Sequence, residues 1–170
     1  NIGNEGYTLT VKRGHILVKA NTTAGLFYGF QTLRQMAYPD QLADSKKITI
    51  PCAKIKDYPR FAYRGGHLDV SRHFFDVKFV KRYIDLLASY KINKFHWHLT
   101  DDHGWRIQID KYPGLTSIGA WRPARNSWDT LHPVLPGEPA TYGGYYTKEQ
   151  VREVIRYAAA RHIDIIPEIE

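Results

Sequence analysis

Three stretches of alternating apolar residues, each finishing in ionisable side chains, constrain this chain more than any other feature. In residues 62–70, Leu68 and Val70 alternate against His67 and Asp69. Residues 94–100, KFHWHLT, alternate again, and residues 163–170, IDIIPEIE, form a third such run. Between the first two, Val77, Val80, Ile84 and Leu87 recur at helical spacing behind Asp76, an expected N-cap. Before the third, Thr147 and Gln150 have the spacing of a capping box, and Val151, Val154, Ile155, Ala158 and Ala159 form one helix face. Strand, helix, strand, helix, strand implies parallel strands joined by right-handed crossovers.

The strand ends carry Asp69 and Arg72, then Asp101 and Asp102, then Glu168 and Glu170. Chemistry gathered at the C-terminal tips of parallel strands is the pattern of a (β/α)₈ barrel. Such a barrel takes roughly 200 residues or more, and only 111 follow Pro59. The expected fold class is therefore α/β: an incomplete TIM (β/α)₈ barrel, its first three strands, preceded by a small α+β domain.

That small domain is read from residues 1–57. Residues 7–11 and 15–19 alternate around Gly14 as a hairpin, and Leu26, Phe27, Phe30, Leu33 and Met36 then follow at helical spacing, closed by Pro39. Asp57, Tyr58 and Pro59 suit a linker, so residues 58–170 are assigned to the barrel portion. Between about residues 103 and 146 a long connection rich in proline separates the second strand from the next helix. Long ordered connections in compact domains are usually functional.

Composition narrows the classes. At 43% hydrophobic and 14% aromatic residues the chain can bury a core. The net charge of +7 comes from scattered lysines and arginines, read as solvated helix faces rather than a nucleic-acid surface. No apolar run approaches the ~18 residues of a membrane span. Cys52 alone excludes an internal disulfide. A chain that starts at Asn1 is expected either to have lost a leader or to be part of a longer protein.

Several residues suggest chemistry. His96 and His98 share one face of a strand, because the side-chain period is two. They suit either a zinc site, as in a zinc-dependent amidohydrolase, or hydrogen bonds to neighbouring strand-end carboxylates. Of the adjacent Asp101 and Asp102, one is expected to point inward and the other to organise the loop. Arg72 offers a rigid fork of donors suited to vicinal sugar hydroxyls, or else a plain ion pair with Asp69 or Asp76. Trp97 is expected to pack outward, while Trp105, Trp121 and Trp128 are free to stack on sugar rings or to pack within the loop.

The segments GLFYGFQTLRQ, DYPRFAYRGGHLDVSRHFF, VKRYIDLLASYKINKFHWHLTDDHGWRIQID and GGYYTKEQVREVIRYAAARHIDIIPEIE together resemble the family 20 glycoside hydrolases, the β-N-acetylhexosaminidases. The resemblance covers nearly the whole chain. It implies that Arg72 binds the hydroxyls at C3 and C4 of a terminal N-acetylhexosamine. It also implies that Asp101 supports the site by pairing with a histidine of a Pro-Gly-His element absent from these residues, and that His98 and Glu170 belong to the same substrate-binding network.

The implied reaction is retaining and substrate-assisted: the acetamido oxygen attacks the anomeric carbon while a glutamate protonates the leaving oxygen. That needs an adjacent Asp-Glu pair, and no Asp-Glu occurs in the 170 residues. This segment alone is therefore expected to be inactive and to require the remainder of the barrel. The implied partner is an N-acetylhexosamine-containing oligosaccharide or glycoconjugate, with no cofactor or metal, in an extracytoplasmic (periplasmic or secreted) setting. A non-catalytic carbohydrate-binding segment is the alternative from another class.

Overall fold

The computed structural model describes residues 2–37, 48–124 and 135–170. Pro39, Trp128 and Pro133 lie outside the described residues. The chain is α/β and divides into two compact units, one of Asn1–Arg64 with Leu87–Asn93, the other of Gly65–Leu86 with Lys94–Glu170.

In the first unit β1 (Tyr7–Lys12) and β2 (His15–Ala20) form the expected hairpin. Helix α1 (Thr23–Met36) starts within the run Asn21–Gly25, rich in cap-forming residues, the Thr22 hydroxyl capping it by accepting from the Gly25 N–H. A strand that the alternation did not announce, β3 (Ala53–Asp57), pairs antiparallel with β1, giving the order β2-β1-β3. Tyr7, Leu9, Val11 and Tyr28 are buried between sheet and helix. Gly29 permits this approach, since a Cβ there would run into Val18 and Tyr7.

Two ion pairs finish this unit. Glu5 accepts from both Nη atoms of Arg64, at 2.8 and 3.2 Å, and from Asn93 Nδ2 at 3.0 Å. Lys91 Nζ lies 2.9 Å from Asp57 and 2.9 Å from the Tyr7 hydroxyl. Burial raises the Glu5 pKa, but Arg64, Asn93 and Tyr28 together outweigh it and hold the carboxyl below its ordinary 4.5. Asp57 is likewise held below 3.8, with Lys91 and Tyr7 overcoming its burial. A carboxyl depressed in the folded state stabilises above its unfolded value and loses that contribution as pH falls through the folded one. Unfolding free energy is thus expected to drop below about pH 4. Glu5→Gln should cost about 1–3 kcal/mol at pH 7 and flatten the acid limb of denaturant-measured stability. An unchanged acid limb would remove Glu5 from that account.

The second unit is built on three parallel strands, β4 (Gly65–Asp69), β5 (Lys94–Asp101) and β9 (Asp164–Ile169), with β5 in the middle. Helix α2 (Val77–Ser89) joins β4 to β5, and its Asp76 cap accepts from the Phe79 N–H at 2.7 Å. The 103–146 connection has structure of its own. After a tight turn, β6 (Gly104–Trp105) returns antiparallel along the end of β5. A one-turn helix α3 (Gly114–Ser117) and the short pair β7 (Trp121–Arg122) and β8 (Tyr142–Gly143) follow. Helix α4 (Lys148–Ala159) then opens on the complete Thr147–Gln150 capping box and leads into β9.

Helices α2 and α4 lie side by side, since the Tyr157 hydroxyl donates to Asp85 at 2.7 Å and Lys81 pairs with Glu153. They cover one face of the sheet, where Phe95, Trp97 and Leu99 are buried and the Tyr83 ring lies 5.6 Å from that of Phe95. Trp97 packs outward as expected, its ring 5.9 Å from Phe95 and 4.7 Å from Tyr146. The alternation of β5 leaves the opposite face to His96, His98 and Thr100.

Candidate active site

Register places the ionisable residues on that opposite face. His67 of β4 sits beside His96, Asp69 beside His98, and His98 beside Glu168 of β9. Between His98 and Thr100 the pairing with β9 slips, an irregularity of the kind that re-aims side chains at sites.

Arg72 lies just past β4, held by its own strand end: Asp69 Oδ1 accepts from the Ser71 and Arg72 N–H groups at 2.9 and 3.1 Å. Arg72 Nη1 contacts Asp69 Oδ2 at 3.1 Å and Asp101 Oδ2, and Nε lies 3.3 Å from Asp102. One side of the guanidinium is thus braced by carboxylates from two strands. Nη2 has no hydrogen bond or ion pair among the described residues, and the side chain is 46% exposed.

Asp101 is the inward member of the acidic pair, 14% exposed against 60% for Asp102. Its carboxylate accepts from the Asp102 N–H at 2.7 Å and from His98 Nε2 at 2.8 Å. The Asp102 N–H first, then His98 and Arg72, hold its pKa at about 2. Asp102 meets His103 Nδ1 at 2.8 Å and so ties the turn to Arg72.

His98 is nearly buried, and its other nitrogen, Nδ1, pairs with Glu168 Oε2. Both nitrogens therefore face carboxylates. Burial alone would lower its pKa, but the bonds to Glu168 and Asp101 raise it. The same Glu168 oxygen lies 2.6 Å from His96 Nε2. The histidines thus hydrogen-bond to strand-end carboxylates, while His67, His96, His98 and Glu168 also form the one group among the described residues with donors close enough to hold a metal ion.

Glu170 is brought close only through its backbone, the N–H donating to Thr100 Oγ1 at 2.9 Å. Its carboxylate makes no hydrogen bond or ion pair among the described residues. Trp105 is half-buried, donating to the Ile107 carbonyl at 2.6 Å, and Trp121 donates to the Thr116 carbonyl at 3.1 Å.

Sequence reading placed Glu168 at a strand end without assigning it to the site, where it joins two of the histidines, and it passed over Arg106, which builds the rim. Arg106 is 0% exposed, and all five of its side-chain N–H donors meet carbonyls. Nε donates to Val70 at 3.1 Å, Nη1 to Ala120 and Gly144 at 2.6 and 3.2 Å, Nη2 to Ser71 and His103 at 2.6 and 3.4 Å. It thereby fixes the backbone immediately before Arg72 to the turn after Asp101. No local signal marked Arg106; in the fold Gly104 makes room for it, since a Cβ there would strike its guanidinium.

Against known proteins, the family model described as Glycosyl hydrolase family 20, catalytic domain, matches residues 61–170, and that for domain 2 of the same family matches residues 1–58. A β-hexosaminidase of Porphyromonas gingivalis is 44% identical over 98% of this chain and 20% of its own length. A β-hexosaminidase of Vibrio furnissii is 46% identical over 96% of this chain and 26% of its own. The chain thus spans about a quarter or less of those two relatives. Among solved structures, the exo-β-N-acetylglucosaminidase of Vibrio harveyi in complex with N-acetylglucosamine superposes with a TM-score of 0.85 at 45% identity, over 99% of this chain and 26% of that one. The Streptomyces plicatus N-acetyl-β-hexosaminidase gives 0.84 at 44%, over 99% and 32%. Both parts of the chain match the same family in the same order, and the chain belongs to glycosyl hydrolase family 20.

Proposed function

We propose that this chain is the part of a β-N-acetylhexosaminidase that binds the terminal sugar. In this reading residues 1–57 are a small α+β domain and residues 58–170 the first three strands of a (β/α)₈ barrel whose remaining strands lie in a longer protein. The substrate is a terminal non-reducing N-acetylhexosamine on a glycan, and the reaction is hydrolysis with retention, assisted by the substrate's acetamido group. The extracytoplasmic setting rests on the resemblance alone.

The observation that carries the reading is the state of Arg72. Its guanidinium is immobilised on Asp69, Asp101 and Asp102, while Nη2 keeps two N–H donors for sugar hydroxyls. Asp101 and His98 have the same task one layer down: they fix the direction of that fork before the sugar arrives, which lowers the ordering cost on binding. Glu170, at the tip of β9, extends the same rim.

The test uses the longer protein that contains these residues. It is expected to release nitrophenol from a nitrophenyl β-N-acetylglucosaminide and to leave the matching β-glucoside, which lacks the acetamido group, essentially untouched. The 170-residue chain by itself is expected to hydrolyse neither, since it contains no Asp-Glu pair. Equal turnover of both sugars, or turnover by the purified segment, would sink the proposal.

A further inference from the structure

One face of the β4-β5-β9 sheet collects three imidazoles and a carboxylate, more nitrogen donors than sugar binding through Arg72 uses. His67, His96, His98 and Glu168 each offer one ligand atom, and these atoms all lie within 4.8 Å of one another. The rings are already gathered: His67 stands 4.7 Å from His96 and 5.7 Å from His98, centroid to centroid. Four ligands at bond lengths of about 2.0–2.1 Å around a tetrahedral ion lie about 3.3 Å apart. Glu168 Oε2, now between two histidine nitrogens, would move outward and His67 inward, by rotations of side chains on three fixed strands.

We infer that His67, His96, His98 and Glu168 form a binding site for a divalent transition-metal ion of the zinc or copper class, on the sheet face beside Arg72. Two further observations favour it. His98 Nε2 pairs with Asp101 at 2.8 Å, so Nδ1 faces the cluster while a carboxylate orients the ring from outside, the usual outer-shell arrangement of a metal-bound histidine. The His67 ring makes only ring contacts among the described residues, so coordination takes nothing from it. Imidazole ligands select zinc, copper or nickel over magnesium and calcium, which take oxygen. Arg72 Nη1, 3.1 Å from His98 Nε2, opposes a dication, and Asp69, Asp101 and Glu168 offset it. The metal has no part in the proposed hydrolysis. An ion here would hold His98 and Glu168 in a new geometry and so act as an inhibitor.

The experiment is calorimetric titration of the longer protein that contains these residues with zinc chloride in a non-chelating buffer at pH 7.5, with folding of every variant checked by circular dichroism. One ion per chain is expected. His67→Gln and His96→Gln should each weaken binding at least tenfold, Asp101→Asn by about tenfold, while His15→Gln leaves it unchanged. Cobalt substituted for zinc should give the visible absorption of a four-coordinate site, lost in the His67→Gln/His96→Gln double variant. Absence of stoichiometric binding, or binding that survives the double variant, overturns the inference. Sugar binding enters none of these measurements, so their failure leaves the glycosidase reading standing, and the converse also holds.

Discussion

Replacing Arg106 by methionine is expected to destabilise the second unit by about 3–5 kcal/mol, since it breaks a whole buried hydrogen-bond network at once. The size follows from what is left behind. Val70, Ser71, His103, Ala120 and Gly144 would each lose an N–H donor, and a buried carbonyl without a partner costs about 1–3 kcal/mol where water cannot replace the donor. Methionine fills much of the volume, so the loss reports the hydrogen bonds rather than a cavity. Arg106→Lys should recover little, because one ammonium cannot reach five carbonyls spread around a planar fork. Denaturant midpoints of the three proteins decide it; a loss under about 1 kcal/mol for methionine would mean that the loops hold themselves.

Arg72→Ala should leave the fold nearly intact, the side chain being half-exposed, and remove most of the proposed activity. In the longer enzyme kcat/KM for a nitrophenyl β-N-acetylglucosaminide is expected to fall roughly 10²–10³-fold, about 3–4 kcal/mol of transition-state stabilisation. Charged hydrogen bonds contribute about 1.5–3 kcal/mol each, and Nη2 has two N–H donors to give. The loss is expected in kcat as well as KM, since contacts to the sugar ring tighten as it distorts. Arg72→Lys should stay close to alanine. Kinetics within threefold of the parent would take Arg72 out of the site, with Glu170 the next residue on the rim to examine.

The two substitutions separate what holds the pocket from what uses it. Arg106 has no exposed atom to offer a ligand, and its effect on any sugar passes through the Val70–Ser71 and His103 backbone. Arg72 depends on that backbone for its position.

Much of this architecture was written in spacing. The intervals of Val77, Val80, Ile84 and Leu87, the Thr147–Gln150 box and the alternation of His96 and His98 are local signals, each set by the period of one element, and all three parallel strands followed from them. The inward place of Asp101 does not follow from strand period, which would set it with Phe95, Trp97 and Leu99; it meets His98 and Arg72 beyond the irregularity between His98 and Thr100.

Where the chain folds back on itself, local pattern says little. β3 has alternating lysines and a short apolar share, so it reads as loop until β1 supplies its hydrogen bonds. Glu168 alternates with Ile169 much as Glu170 does, yet only register across β5 brings it between His96 and His98. Arg106 follows a glycine and a tryptophan like any surface residue near a turn, and its burial exists only because four separate backbone segments converge on it. The sequence by itself determined the three parallel strands, the helices between them, their order and the family. Tertiary structure decided which charges meet, because pairing across 26 residues from Arg72 to His98 and 70 from His98 to Glu168 depends on strand register, which no neighbouring residue encodes.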